Sequence, residues 1–332
     1  MINRRDAAAL GAAWLAWAGQ AKSQTARPAG KIGYLHPRLA TPEHSTVVAL
    51  RSAWRPLGYV EGESVLLRAA DGDMRRVPAL VAEMVAQGAG VLIVVGAAAL
   101  KAAHEAAVQA STDKRPPTPI VAIDLETDPV RAGYAASMGR PGGHVTGLFL
   151  DQPSLAGKWI DLLREAVPEL GRLAILWDRA TGLGQVEVAM GAARSKGLET
   201  QVLELGTIKN FDLALRALAG KPPLGIVQLT SPGSITYAAE LAAAAQRYRL
   251  PTITFQTTAA HAGLMLSYGP MATDYFPRAA VMADKILRGA KPGDVPIEGP
   301  SRYEFVINLK TAKAMGISIP QSVLLRADEV IR

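Results

Sequence analysis

The residue types best suited to metal or proton chemistry here are five histidines, His36, His44, His104, His144 and His261, which lie far apart in the chain. No H-E-x-x-H pair sets two imidazoles on one helical turn, so a zinc-hydrolase centre has no local scaffold. Cysteine is absent altogether, which removes disulfides, thiolate metal sites and thiol nucleophiles. No G-x-x-x-x-G-K-[ST] loop cradles phosphates, and no G-x-S-x-G elbow presents an activated serine. Gly182-Leu183-Gly184 follows an apolar run as a dinucleotide fingerprint would, but Glu187 holds the third glycine position, so the stretch reads as a flexible turn. In Gly139–Gly147 (GRPGGHVTG) a proline precedes paired glycines, the pattern of a tight turn rather than an anion cradle. Asp71 and Asp73 precede a helical pattern and read as caps. What remains is a set of polar residues at the ends of apolar runs: His36, Asp124 to Pro129, Asp178 to Gly184, Thr230 to Thr236 and Thr254 to Thr258. Residues so placed suit contacts to a ligand better than chemistry on a bond.

The elements that must position them alternate regularly. Lys31–Leu35, Val65–Ala69, Val91–Val95 and Ile120–Ile123 read as strands. Val91–Val95 (VLIVV) is an unbroken β-branched run of the kind buried on both faces. Between them, residues 46–57, 76–87 and 98–111 space their apolar residues as helices do. The pattern then restarts. Helices are predicted over 155–166, 186–195, 211–218 and 235–248, with strands over 173–177, 200–204, 225–229 and 251–255. A helix over 276–288, a strand over 305–309 and a terminal helix over 324–331 follow. Such alternation implies an α/β chain with two doubly wound parallel-sheet lobes and a ligand cleft between them. In open sheets of this kind ligands sit beyond the carboxyl ends of the strands, at helix N-termini. The chain should cross between lobes near 147–151 and again near 264–269.

The chain has 332 residues, enough for two cores, and 20% of them are charged. Its formal charge of +7 is spread out, in clusters no larger than pairs such as Arg75-Arg76 and Lys114-Arg115. That distribution describes a solvated basic surface and no nucleic-acid partner. At the front, Arg4-Arg5 precede an uncharged apolar run from Ala7 to Ala18, and Ala21-Lys22-Ser23 resembles a cleavage site. Residues 1–23 therefore read as a cleavable signal peptide, of the Sec or twin-arginine kind, that sends the protein to the periplasm. The run is too short for the ~20 residues of a membrane span. With no cysteine to acylate, the mature protein is not a lipoprotein.

Three stretches then carry a family resemblance. Asp128-Pro129-Val130 with Gly133 and the Gly139–Gly147 segment, Leu57 to Gly62 (LGYVEG), and the tail Val306 to Lys313 with Ile319-Pro320 and Leu325 to Val330 resemble the tryptophan-binding-like family of ABC-transporter substrate-binding proteins. His144 departs from the asparagine usual in that motif. The resemblance covers about residues 31–332 and implies a type I periplasmic-binding fold. On that pattern the chain crosses between lobes three times, with residues 31–150 and 268–300 in lobe 1 and residues 151–267 and 301–332 in lobe 2. It implies a small-molecule ligand held at His36, Gly96, Ala97, Asp128, Asp178, Thr181, Ser234, Tyr268 and Asp274, with the lobes closing over it. Asp128 and Asp178 are the groups to meet a ligand ammonium or hydroxyl, or else to cap the helices that follow.

The expected product of these readings is a non-catalytic, monomeric capture protein. It would need no cofactor or metal and would deliver an amino acid or a small aromatic or carboxylate compound to an ABC permease with its ATPase. A ligand-sensing subunit of a membrane receptor would share the same fold and export signal. A secreted α/β enzyme would convert what it captures.

Overall fold

The computed structural model describes residues 28–37, 45–124, 127–150, 152–181, 183–205, 208, 210–218, 224–231 and 237–332. The expected export segment 1–23 and Ser234 lie outside the described residues. The chain opens with β1 (Lys31–His36), α1 (Ser45–Trp54), β2 (Val65–Ala69), α2 (Val77–Ala86), β3 (Ala89–Val95), α3 (Ala97–Gln109), β4 (Ile120–Asp124) and β5 (Val145–Phe149). These strands form a parallel sheet in the order β2-β1-β3-β4-β5. Along β3, Val91 and Ile93 face one helical layer while Leu92 and Val94 face the other, and all four are fully buried. That is why VLIVV has no polar alternation: neither face of the strand meets water.

The second half runs α4 (Ala156–Ala166), β6 (Arg172–Trp177), α5 (Gly184–Ser195), β7 (Glu199–Glu204), α6 (Phe211–Leu218), β8 (Leu224–Gln228), α7 (Ala238–Arg247), β9 (Thr252–Thr254), α8 (Thr257–His261) and β10 (Leu266–Pro270). After α9 (Ala272–Leu287) come β11 (Tyr303–Asn308), α10 (Leu309–Ala314), α11 (Gln321–Leu324) and β12 (Glu329–Ile331). Among the described residues the second sheet has the order β12-β11-β10-β9-β8-β6-β7. Its strands are parallel except where β10 meets β11. Trp159, Ile160 and Leu163 of α4 pack with Val186 and Ala189 of α5 on one face. Phe211 and Leu215 of α6 pack with Leu241 and Ala245 of α7 on the other. The molecule is thus an α/β protein of two largely parallel sheets, each covered by helices on both faces.

The chain passes between the two sheets three times. It leaves β5 for α4, leaves β10 for α9, and leaves the 297–298 segment for β11. Helix α9 returns to the first sheet, where Phe276, Ala279 and Ala283 join Ile32, Tyr34 and Trp54 in one core. Residues 297–298 then lie along β5, with Phe149 N–H donating to Glu298 O and Glu298 N–H to Gly147 O, both at 3.0 Å. Tyr268 to Pro270 pair with β11 in the seven-stranded sheet, so the second passage comes after Pro270.

Several elements differ from the sequence expectation: strand β10 occupies the region where a crossing was expected, and helices α8 and α10 were not predicted. The predicted terminal helix over 324–331 is the end of α11 followed by strand β12, in which Val330 pairs with Ile307. Asp328 fixes the change of direction: its Oδ2 accepts from Phe305 N–H at 2.8 Å, and its own N–H donates to Phe305 O at 2.9 Å. Strand β5 was hidden inside GRPGGHVTG, whose glycines dominate the pattern. At Gly147 the backbone lies at φ 137°, and an added Cβ would stand 2.1 Å from Ala122 O on the neighbouring strand. Gly142 N–H donates to Gly293 O at 3.0 Å, and a Cβ on Gly293 would stand 2.8 Å from the Gly142 backbone. The motif therefore lets β5 approach β4 and clasps the segment that returns from α9. Among the described residues no helix is long and apolar enough to cross a membrane.

Candidate functional site

The carboxyl edge of the first sheet collects polar groups from adjacent strands. His36 ends β1 and is 7% exposed, and its carbonyl accepts from Ala70 N–H at 3.0 Å. Its ring centroid lies 6.2 Å from that of Tyr34, which meets Trp54 edge-on. Gly96 follows β3 with φ 85° and ψ 148°, a conformation that turns the strand directly into α3. Its N–H donates to Ile123 O and its carbonyl accepts from Leu100 N–H, each at 2.9 Å. Ala97, half-buried, is the first residue of α3. Asp124 ends β4 with no exposed surface, and its Oδ1 accepts from Thr127 N–H at 3.1 Å. His36, Gly96 and Ala97 are thus gathered where the ordering of β1, β3 and β4 predicts, and Asp124 completes the row.

The second sheet presents its own edge. Asp178 follows β6 and is half-buried, and its carbonyl accepts from both Thr181 N–H at 3.0 Å and Thr181 Oγ1 at 2.8 Å. These bonds close the tight turn Arg179–Thr181. Helix α3 of the first lobe comes alongside that turn, so the two edges meet across the passage between sheets. Gln228 and Thr254, both buried, end β8 and β9, and buried Ser267, the second residue of β10, is the register partner of Thr254. Polar side chains buried this deeply in an apolar sheet mark a region with demands beyond packing.

The remaining predicted residues are otherwise engaged. Asp128 is exposed, and its Oδ1 accepts from Val130 N–H at 2.9 Å and Arg131 N–H at 3.0 Å, which makes it the cap of the turn it begins. Tyr268 is half-buried, its ring stacked on Tyr303 at 5.5 Å and 8°, and its carbonyl accepts from Trp159 Nε1 at 2.6 Å. Burial raises the Tyr268 hydroxyl above its ordinary range, helped by Asp328. Asp274, in the first turn of α9, accepts from Ser301 Oγ at 2.8 Å, from Ser301 N–H at 3.3 Å and from Arg278 at 3.1 Å. Burial works to raise the Asp274 carboxyl, but the Ser301 bonds and the Arg278 charge prevail and hold it below the usual range. Arg278 also donates through Nε to Glu298 at 2.6 Å and to Gly299 O at 2.9 Å. Asp274 therefore ties the second passage between sheets to the third, where Met271 N–H also donates to Arg302 O at 3.0 Å. Among the described residues no three His, Cys, Asp or Glu side chains converge as metal ligands.

Known proteins resemble this chain in sequence and fold. A curated tyrosine-binding protein of Clostridioides difficile (strain R20291) is 22% identical over 285 residues, which cover 84% of this chain and 78% of that protein. A crystal structure of a conserved domain protein from Vibrio cholerae superposes with a TM-score of 0.77 at 22% identity, covering 92% of this chain and 100% of that one. The ABC domain of Streptococcus pneumonia in complex with L-Trp superposes with a TM-score of 0.76 at 23% identity, covering 91% of this chain and all of that one. These likenesses establish the type I periplasmic-binding fold. The family model for ABC transporter substrate binding proteins matches residues 43–331, and with nearly the whole described fold inside that match, the chain belongs to this family.

Proposed function

We propose that the protein is an extracytoplasmic solute-binding protein that captures an amino acid, or a similar small aromatic or carboxylate compound, between its lobes. It hands this solute unchanged to an ABC permease with its ATPase. The observation that carries this reading is the meeting of two strand-exit edges at α3 and the Arg179–Thr181 turn, each edge lined by buried polar residues. Asp124 supplies a buried carboxylate for an ammonium group. The N-terminus of α3, behind Gly96 and with no acidic residue in its first turn, favours a carboxylate through its partial positive charge. His36 bounds the first-lobe side and Asp178 and Thr181 the second, with Ser234 a further candidate from the sequence. Asp128 and Asp274 hold the turn and the passages that frame the site, and Tyr268 supports its floor. The tyrosine-binding relative and the L-Trp-bound neighbour support an aromatic amino acid as the first choice. Residues 1–23 act as the export signal, and the mature chain works as a periplasmic monomer whose lobes close on the solute.

Thermal-shift screening of the mature protein against the common amino acids tests the reading. A genuine ligand raises the melting midpoint by mass action and is recovered with unchanged mass. If no amino acid moves the midpoint, the ligand class is wrong. If the bound compound is converted, so is the non-catalytic role.

A further inference from the structure

Gln185 is the second residue of α5, and it is only 2% exposed although it follows an exposed glycine at a helix start. Its side chain grips a single residue, Thr230, which follows β8 and is fully buried. Gln185 Nε2 donates to Thr230 O at 3.1 Å, and Gln185 Oε1 accepts from Thr230 N–H at 3.1 Å and from Thr230 Oγ1 at 2.5 Å. One amide thus pairs with the N–H, the carbonyl and the hydroxyl of a single loop residue.

The position of this clasp gives it a consequence for binding. β6 and β8 are neighbours in the second sheet. The segment leaving β6 carries Asp178 and Thr181, and the segment leaving β8 begins at Leu229 and Thr230. Leu229 N–H donates to Leu176 O at 2.9 Å, so the sheet ladder reaches the residue next to the clasp. At that level the Gln185–Thr230 bonds couple the two segments as well. The Arg179–Thr181 turn that the first of them carries is the part of the second lobe that α3 approaches.

We infer that Gln185 is a positioning residue for the ligand site, setting the distance between the two strand-exit segments that form the second-lobe rim. This rests on the solute-binding reading above for its effect on affinity, but not for its effect on the rim itself. Because the interior is apolar, an unpaired Thr230 N–H, carbonyl and hydroxyl would have to find other partners, and the segment must move to do so.

The test uses the mature protein with Gln185→Leu, which keeps the volume and removes all three bonds, and Thr230→Val, which removes only the hydroxyl bond. Amide hydrogen exchange is followed without ligand, and affinity is measured by calorimetry with L-tyrosine and L-tryptophan as probes. In Gln185→Leu the Thr230 amide and those of residues 178–184 should exchange at least about tenfold faster, while Ile226 and Val227 in β8 stay as in the parent. The dissociation constant should rise by about tenfold or more, and in Thr230→Val by a smaller factor of roughly three. A purely structural role would lower the melting midpoint of both variants and leave the dissociation constant alone, which would overturn the inference. So would unchanged exchange at residues 178–184. If Gln185→Leu fails to fold, Thr230→Val decides by the same two readouts. If the parent binds neither amino acid, the ligand assignment fails, and rim exchange alone upholds or overturns the role of Gln185.

Discussion

Replacing His144 by asparagine should remove a large part of the first lobe's sensitivity to acid. The His144 ring stacks on His104 of α3 at 4.8 Å and 10°, and His104 meets Tyr134 edge-on at 5.1 Å. Neither His104 Nδ1 nor His144 Nε2 is exposed or hydrogen-bonded. Burial pushes the His144 imidazole down to about 4, and the neighbouring His104 charge pushes the same way. Burial also lowers His104, against which Glu105 acts. In the unfolded chain a histidine titrates near 6.5. Between these values the unfolded state binds the extra proton and the folded state does not. Stability is therefore full above pH ~6.5 and is lost as the pH falls toward ~4. A shift of roughly 2.5 units corresponds to at most about 3.4 kcal/mol, and about 1–2 kcal/mol after allowance for the ring's partial exposure. Urea unfolding of parent and His144→Asn at pH 7.5, 6, 5 and 4.5 reads this directly. Whatever offset the substitution brings at pH 7.5, the difference between the two proteins should shift by about 1–2 kcal/mol in favour of the variant by pH 4.5. Parallel curves across the range would show that the stacked pair is not titrating as its burial requires.

Other consequences are as concrete. Gly147→Ala puts a Cβ 2.1 Å from Ala122 O and should cost at least about 3 kcal/mol or abolish folding, whereas Gly139→Ala, with nothing within 4 Å, should stay within about 0.5 kcal/mol in the same denaturant titration. Arg278→Ala strips Asp274 and Glu298 of their shared guanidinium and frees the Gly299 carbonyl. It should lower stability by about 1–3 kcal/mol and speed amide exchange over residues 299–303, a result absent if the passages between sheets do not depend on that contact.

The parts of this structure legible in the sequence are those governed by local pattern. The VLIVV run, the AILW strand and the periodic helix that follows Asp274 all declare themselves, because burial on both faces or on one stripe dictates composition residue by residue. Strand β5 stays hidden because Gly147 within it serves close approach to β4, and glycine signals a turn wherever it is read alone. β12 is misread as helix because three residues carry no period. Only their pairing with Val306, Ile307 and Asn308 makes them a strand. At the site, His36, Gly96, Ala97, Asp178 and Thr181 could be placed on strand exits from the alternation of elements alone. What their neighbours do with them could not. Asp274 stands at a passage between sheets as expected, yet its carboxylate is bound by Ser301, 27 residues away. Gln185 looks like an ordinary helix residue until Thr230, 45 positions on, is brought beneath it.

Capture of an amino acid at the meeting of the two edges can be read by titration calorimetry of the mature protein with L-tyrosine and L-tryptophan, alongside Asp124→Asn. Saturable binding of at least one of them at a single site is expected, weakened by about tenfold or more by Asp124→Asn. Folded protein that gives no binding heat with either, or Asp124→Asn binding as tightly as the parent, would contradict it.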